Sequence, residues 1–149
     1  MSQRVQCVSR LGFALIVAIG LSGCGGGGEA GPALHAVSGV VTHNGQPLPK
    51  MAVKFSPVAG GSYSTATTDE QGKFTLQYNM NKSGAIAGEN IVSAEYVPRT
   101  PEEESAASRP NFAPPAPYKE VIKKYGTKET SPYRVTIDGP KENLDVKLD

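Results

Sequence analysis

Tryptophan is absent from this 149-residue chain, and cysteine and histidine occur twice each. That scarcity removes several kinds of chemistry. His35 and His43 have no cysteine or second histidine at metal-ligand spacing, so no metal and no other cofactor is expected. No Gly-x-Ser-x-Gly nucleophile motif occurs. Lys82-Ser83-Gly84 echoes a β-lactamase-type box but lacks the Ser-x-x-Lys that would supply a nucleophile. Asp69 and Gln71 offer about two or three oxygens at one turn, against the roughly six to eight that calcium takes. Charge of one sign is lacking too: 15 basic residues face 14 acidic ones, for a net charge of +1. With no basic field to draw it, nucleic acid is not an expected partner. Long apolar runs are also missing. Leu11 to Leu21 is about half of the roughly 20 residues that a spanning helix needs.

That short run has a definite layout around it. Residues 1–10 hold Arg4 and Arg10 and no acid, the apolar stretch follows, and small residues close it. This is the layout of an export signal. The alternative is an uncut membrane anchor, but the run is short and Gly25 to Gly28 would end a helix. Leu21-Ser22-Gly23-Cys24 resembles the lipobox of bacterial lipoproteins, with a large apolar residue three places before a cysteine and two small residues between. The resemblance implies a signal peptide over residues 1–23, cleavage before Cys24, a diacylglyceryl thioether on its sulfur and acylation, as by palmitate, of the new amino group. The membrane is then a partner through the lipid. Each buried methylene contributes about 0.8 kcal/mol, so two or more chains hold firmly where one binds reversibly. The other roles open to Cys24 are a free thiol or a disulfide with Cys7. Cys7 lies in the segment to be removed, so the processed chain has no internal disulfide. Gly25, and not aspartate, follows the cysteine; by resemblance to lipoprotein sorting this implies the outer membrane in a two-membrane cell.

About 126 residues remain after cleavage, with 13 basic and 14 acidic side chains. That length makes one domain. Residues 24–35 read as the lipidated cysteine and a Gly-rich tether of flexible composition, lifting the domain on the order of 20 Å from the lipid. From residue 36 the pattern turns to period two. Val37, Gly39 and Val41 share a face, then Asn44-Gly45 marks a hairpin because both residues tolerate positive φ. Val53 and Phe55 oppose Lys54. Ser62 to Thr68 reads as a strand, Asp69 to Gly72 as a turn, and Lys73 to Tyr78 as a strand with Phe74, Leu76 and Tyr78 aligned. Val92, Ala94 and Tyr96 align next. Tyr133, Val135 and Ile137 follow, and then Leu144, Val146 and Leu148. Tyr118 to Tyr125 predicts one short helical turn, with Val121, Ile122 and Tyr125 plugging the end of the core. Pro98 to Pro117 holds six prolines, the acid run Glu102-Glu103-Glu104 and no period, and predicts a solvated, partly disordered loop. With 17 glycines and 12 prolines, the whole is expected to be all-β, a seven-stranded antiparallel Greek-key sandwich.

A second resemblance covers most of Val37 to Asp149 outside the Pro-rich loop. Gly39-Val40-Val41, Asn44-Gly45-Gln46-Pro47-Leu48, Ala52-Val53-Lys54-Phe55 and Thr68-Asp69-Glu70-Gln71-Gly72-Lys73-Phe74 resemble the carboxypeptidase-regulatory-like domain, a transthyretin-type sandwich. Gly88-Glu89-Asn90-Ile91-Val92 is similar to a later strand of that family, with Asn90 where an aromatic is common. Ile122-Lys123-Lys124-Tyr125 and Asn143-Leu144-Asp145-Val146 resemble small bacterial envelope lipoproteins carrying the domain. Lys50-Met51 stands where the family often has Gly-Ala, which implies a less tight corner. These motifs mark turns and core positions and carry no chemistry. The catalytic relative, the transthyretin-like hydroxyisourate hydrolase, closes in Tyr-Arg-Gly-Ser, whereas Tyr133-Arg134 here runs on as Val135-Thr136 in a strand pattern. No catalytic residue is carried over.

The expected function is that of a non-catalytic, lipid-anchored envelope module whose β-sandwich binds or braces another envelope protein or a wall polysaccharide. Tyr63, Tyr118, Tyr125 and the 98–117 loop are its candidate contacts, since amphipathic aromatics favour interfaces. The alternative is an envelope hydrolase of transthyretin-like type with an unrecognised site.

Overall fold

A computed structural model describes residues 31–149; the expected signal peptide, Cys24 and most of the tether lie outside them. In chain order the strands are β1 (Leu34–His35), β2 (Val37–His43), β3 (Gln46–Pro47), β4 (Met51–Pro57), β5 (Ser64–Thr67) and β6 (Lys73–Thr75). Then come β7 (Gln77–Asn79), β8 (Lys82–Ser83), β9 (Ala85–Ile86) and β10 (Gly88–Tyr96). Two helices follow, α1 (Pro101–Ala107) and α2 (Tyr118–Tyr125), before β11 (Arg134–Ile137) and β12 (Lys141–Lys147).

The described domain is all-β apart from those two short helices. A six-stranded sheet runs β11-β10-β4-β5-β7-β8, and a four-stranded one runs β12-β2-β3 with β6 also paired to β2. The period-two pattern explains how they face each other. Val37 and Val41 on β2, Val53 and Phe55 on β4, Val92 and Ala94 on β10, and Val146 on β12 all point inward and are buried in one core. Phe55 and Phe74, from opposite sheets, meet with ring centroids 6.0 Å apart. Asn44 at φ 49° and Gly45 at φ 75° form the expected hairpin between β2 and β3.

Four features depart from the sequence expectations. The strand expected over Lys73 to Tyr78 divides at Leu76, because β6 pairs with β2 while β7 pairs with β5. The chain changes sheets there, as strands do at sandwich corners, and Leu76 is fully buried at the crossing. Strand pairing begins earlier than expected: Leu34 and His35, assigned to the tether, pair with Ile86 and Ala85. The sheets are not purely antiparallel, since β12 runs parallel to β2. Parallel neighbours need a long crossover, and here nearly the whole domain provides it. Finally, the Pro-rich stretch is not structureless: it contains α1, opened by a capping box in which Thr100 and Glu103 satisfy each other's backbone amides. The helix expected over Tyr118 to Tyr125 is present as α2, with Val121 and Tyr125 buried and Ile122 packed against the core.

Lys50 and Asn90 each occupy a special local position. Lys50 takes φ 58°, the left-handed region that glycine occupies at least cost. Asn90 is fully buried, and its amide nitrogen donates to the Ile86 and Gly88 carbonyls, both at 3.0 Å, tying the corner between β9 and β10.

In the small sheet Gly39 lies opposite Leu144, where β12 carries a bulge and Asn143 turns to φ 59°. A Cβ on Gly39 would run into the Leu144 carbonyl, which is backbone and cannot step aside. Gly39→Ala is therefore expected to destabilise the domain by about 3 kcal/mol. By thermal unfolding that is a drop in Tm on the order of 10 °C.

Candidate functional site

The candidate site is a cleft at the end of the large sheet where β10 finishes. β11 accompanies β10 only from Gly88 to Ile91, and α2 packs against β10 beyond that point. Residues 98–117 then fold across the corner between them. Glu95 and Tyr96 from β10, Pro98, Phe112 and Pro114 from the insert, Ala107 from α1 and Ile122 from α2 enclose an open cleft of about 250 Å³. Its walls are mainly apolar. Tyr96 is the centre, with its ring 6.2 Å from that of Phe112 and 4.9 Å from that of Tyr118.

A polar knot holds the insert over this corner. Glu103 Oε1 accepts from Lys50 Nζ at 2.6 Å. Its Oε2 accepts from the Arg99 amide at 2.8 Å and the Thr100 amide at 3.3 Å, while Thr100 Oγ1 accepts from the Glu103 amide at 3.2 Å. The Arg99 guanidinium donates to the Thr68 carbonyl. Thr68 is itself buried between Leu48 and Met51, donating to one carbonyl and accepting from the other amide. The backbone amide of Arg99, and next the Lys50 ammonium, hold the Glu103 carboxyl down at about 2. Its hydrogen bond to Glu103 raises the Lys50 ammonium. Burial first, and then the Glu103 charge, push the Tyr96 phenol up. Glu95 at the cleft's rim is bridged by Lys54 at 2.6 Å.

The residues singled out from sequence are dispersed. Tyr118 is half-buried against Tyr96 and belongs to the cleft. Tyr63 follows the loop after β4 and is 53% exposed, with its ring centre 5.8 Å from Lys54 Nζ, the ammonium that also bridges Glu95 at the cleft's rim. Tyr125 is buried, and its hydroxyl donates to the Asp149 backbone oxygen at 2.5 Å. It therefore has no face to offer a partner, a correction that follows from its inward position on α2. His43 bonds the Leu148 carbonyl through Nδ1 and Asn44 through Nε2, which occupies both ring nitrogens. Asp69 Oδ1 accepts from the Gln71 and Lys73 amides and clasps its own turn. Among the described residues, no three His, Cys, Asp or Glu side chains gather as a metal set.

Tyr96, Phe112 and the Lys50–Glu103 pair were not singled out from sequence. The pattern Thr100-Pro101-Glu102-Glu103 was the available signal: an N-cap, a proline at the first helical position and an acid at N3. Glu102 and Glu104 are exposed, as a solvated charge run would be, but Glu103 is not one of them. A second, more polar hollow of about 200 Å³ lies between Lys73, Thr75 and Asn143 on the outer face of the small sheet. Comparison of the chain with protein-family models, with curated proteins and with solved structures returned no match.

A carboxyl near 2 in the folded state and 4.5 ordinarily adds stability above about pH 4.5 and loses it as pH falls toward 2. Protection of the 98–117 amides from hydrogen exchange is expected to fall across that window. In Glu103→Gln the acid dependence disappears, and the insert is already less protected at neutral pH.

Proposed function

We propose that the chain is a bacterial envelope lipoprotein, cut before Cys24 and lipidated on it, and that its β-domain is a non-catalytic binding module. The observation that carries this reading is Leu21-Ser22-Gly23-Cys24 behind a basic-then-apolar leader. The domain beyond the tether is of the carboxypeptidase-regulatory-like type, a seven-stranded Greek-key sandwich in which β6 and β7 count as one strand that changes sheets. The hairpin at Asn44-Gly45 and the turn at Asp69 to Gly72 support that assignment, because both sit where the family's turn motifs fall.

The partner is another envelope protein or a wall polysaccharide, held at the cleft around Tyr96. A cavity of about 250 Å³ is smaller than the roughly 300–1,000 Å³ of small-molecule sites. It suits an inserted side chain or a sugar ring better than a whole soluble metabolite. Aromatic walls with one charged rim group are the composition of an interface anchor point. Among the described residues, no constellation of nucleophile, base and orienting group meets at this cleft, whose titratable lining residues are Glu95 and Tyr96.

Two measurements test the reading. Mass spectrometry of the membrane-extracted protein is expected to give a chain beginning at a triacylated Cys24, and Cys24→Ala is expected to leave the leader attached and the lipid absent. An unmodified, uncut amino terminus would remove the anchor. In pull-downs from envelope extracts, Phe112→Ala is expected to weaken partner recovery by about tenfold or more, the scale of an interface hot spot. Unchanged partners would take the cleft out of the proposal.

A further inference from the structure

The register of the large sheet gives the domain two distinct ends. Along β4, Pro57 pairs with Asn90 at one end and Met51 pairs with Tyr96 at the other, about 20 Å away. The cleft occupies the Tyr96 end. The described chain enters at the Pro57 end. Lys82 Nζ lies 3.6 Å from where a side chain on Gly31 would begin, and Leu34 pairs with Ile86 just before β10.

Val58, Tyr63 and Met80 are large hydrophobic side chains that stand exposed to solvent. All three spring from this entry end, the Tyr63 ring lying back along the sheet toward Lys54. Val58 and Tyr63 flank the loop from β4 to β5, and a side chain on Gly61 within it would touch Ile86. Met80 is at the tip of the hairpin between β7 and β8, two residues from Lys82 and wholly exposed. Because Thr65 pairs with Gln77, that tip lies beside the start of β5, next to Tyr63. A thioether, an amphipathic phenol and a lysine on one rim match the depth profile of a bilayer surface, apolar atoms inward and the ammonium at the headgroups. The nearby carboxylate of Glu89 is 3.8 Å from Arg134, so it is partly offset.

Covalent length supplies the rest. Seven residue steps separate Cys24 from Gly31, and they reach at most about 25 Å. The geometry points to a lipid-facing end of the domain, in which Met80, Tyr63, Val58 and Lys82 rest on the bilayer that holds the Cys24 lipid. This deepens the proposed anchoring and rests on it. It also turns the Tyr96 cleft away from the membrane, toward whatever the domain binds.

The absence of tryptophan makes the test direct. The full-length processed protein, carrying Met80→Trp, is reconstituted into phosphatidylethanolamine–phosphatidylglycerol vesicles with and without acyl-chain bromines. A second preparation carries Glu70→Trp, in the exposed turn at the opposite end, as the reference. Contact predicts a blue-shifted Met80→Trp emission, quenched about twofold or more relative to Glu70→Trp, as for a group seated at the headgroup–acyl boundary. Adding Met80→Asp to a Tyr63→Trp reporter is expected to lower the quenching of that reporter as well. A blue shift without quenching means that protein, a second copy included, covers the tip and overturns the lipid assignment. Equal emission from the two reporters on vesicle-bound protein overturns the contact and leaves the anchor standing. Protein that fails to enter vesicles and lacks the lipid mass at Cys24 overturns both.

Discussion

The parallel ladder between β12 and β2 closes the domain, and the helical end of the core hangs from it. The ladder depends on Gly39, where the absence of a Cβ lets the Leu144 carbonyl come close. Once β12 is seated, Leu148 is buried, and its carbonyl and the Asp149 backbone become fixed acceptors. His43 takes the first, and Lys124 and Tyr125 take the second. Those last two side chains belong to α2, so the ladder sets the helix against the end of the core. The position of α2 in turn places Tyr118 and Ile122 beside Tyr96. A bulge, the exposed charges of Glu142, Asp145 and Lys147, and a single hydrogen-bonded neighbour among the described strands fit the way natural edge strands resist pairing with other chains.

The insert between β10 and α2 is held by different forces. It has few buried apolar groups of its own, and α1 buries none. Its attachment comes from the Phe112–Tyr96 stack and from one carboxylate shared by a lysine, two backbone amides and a capping helix. Charge-assisted hydrogen bonds of this kind are stronger than neutral ones, but they sit at a partly wetted surface. The insert is thus docked over the cleft by contacts that exchange with water more easily than the core does. The local stability of such a cover can differ from that of the sandwich beneath it.

The two ends of the sandwich differ in material as well as in place. At the entry end the exposed hydrophobic side chains Val58, Tyr63 and Met80 stand among Lys82, Glu89 and Arg134. At the far end the apolar groups are gathered under the insert, with the Lys54–Glu95 pair at the cleft's rim and the Lys50–Glu103 pair holding the insert.

Period-two alternation at Val37 to Val41, at Val53 to Phe55 and at Val92 to Ala94 was enough to assign strands and their inner faces, because burial of one face forces that spacing. Asn44-Gly45 and the helical spacing of Val121, Ile122 and Tyr125 were legible for the same reason: each is a local pattern with a local cause. The lipobox resemblance at Leu21 to Cys24 is also a pattern along the chain, and it lies outside the described residues. The cleft was only half legible. Tyr118 was singled out, but Tyr96 looked like one more strand residue and Glu103 like one more solvated acid. Their roles come from Phe112, which stacks on Tyr96, and from Lys50, which lies 53 residues from Glu103 in the chain. The parallel seat of β12, the change of sheet at Leu76 and the burial of Tyr125 were decided in the same way, by which distant segments share a surface. Local spacing fixes how a segment curls and which side it hides. Only packing decides what it hides against.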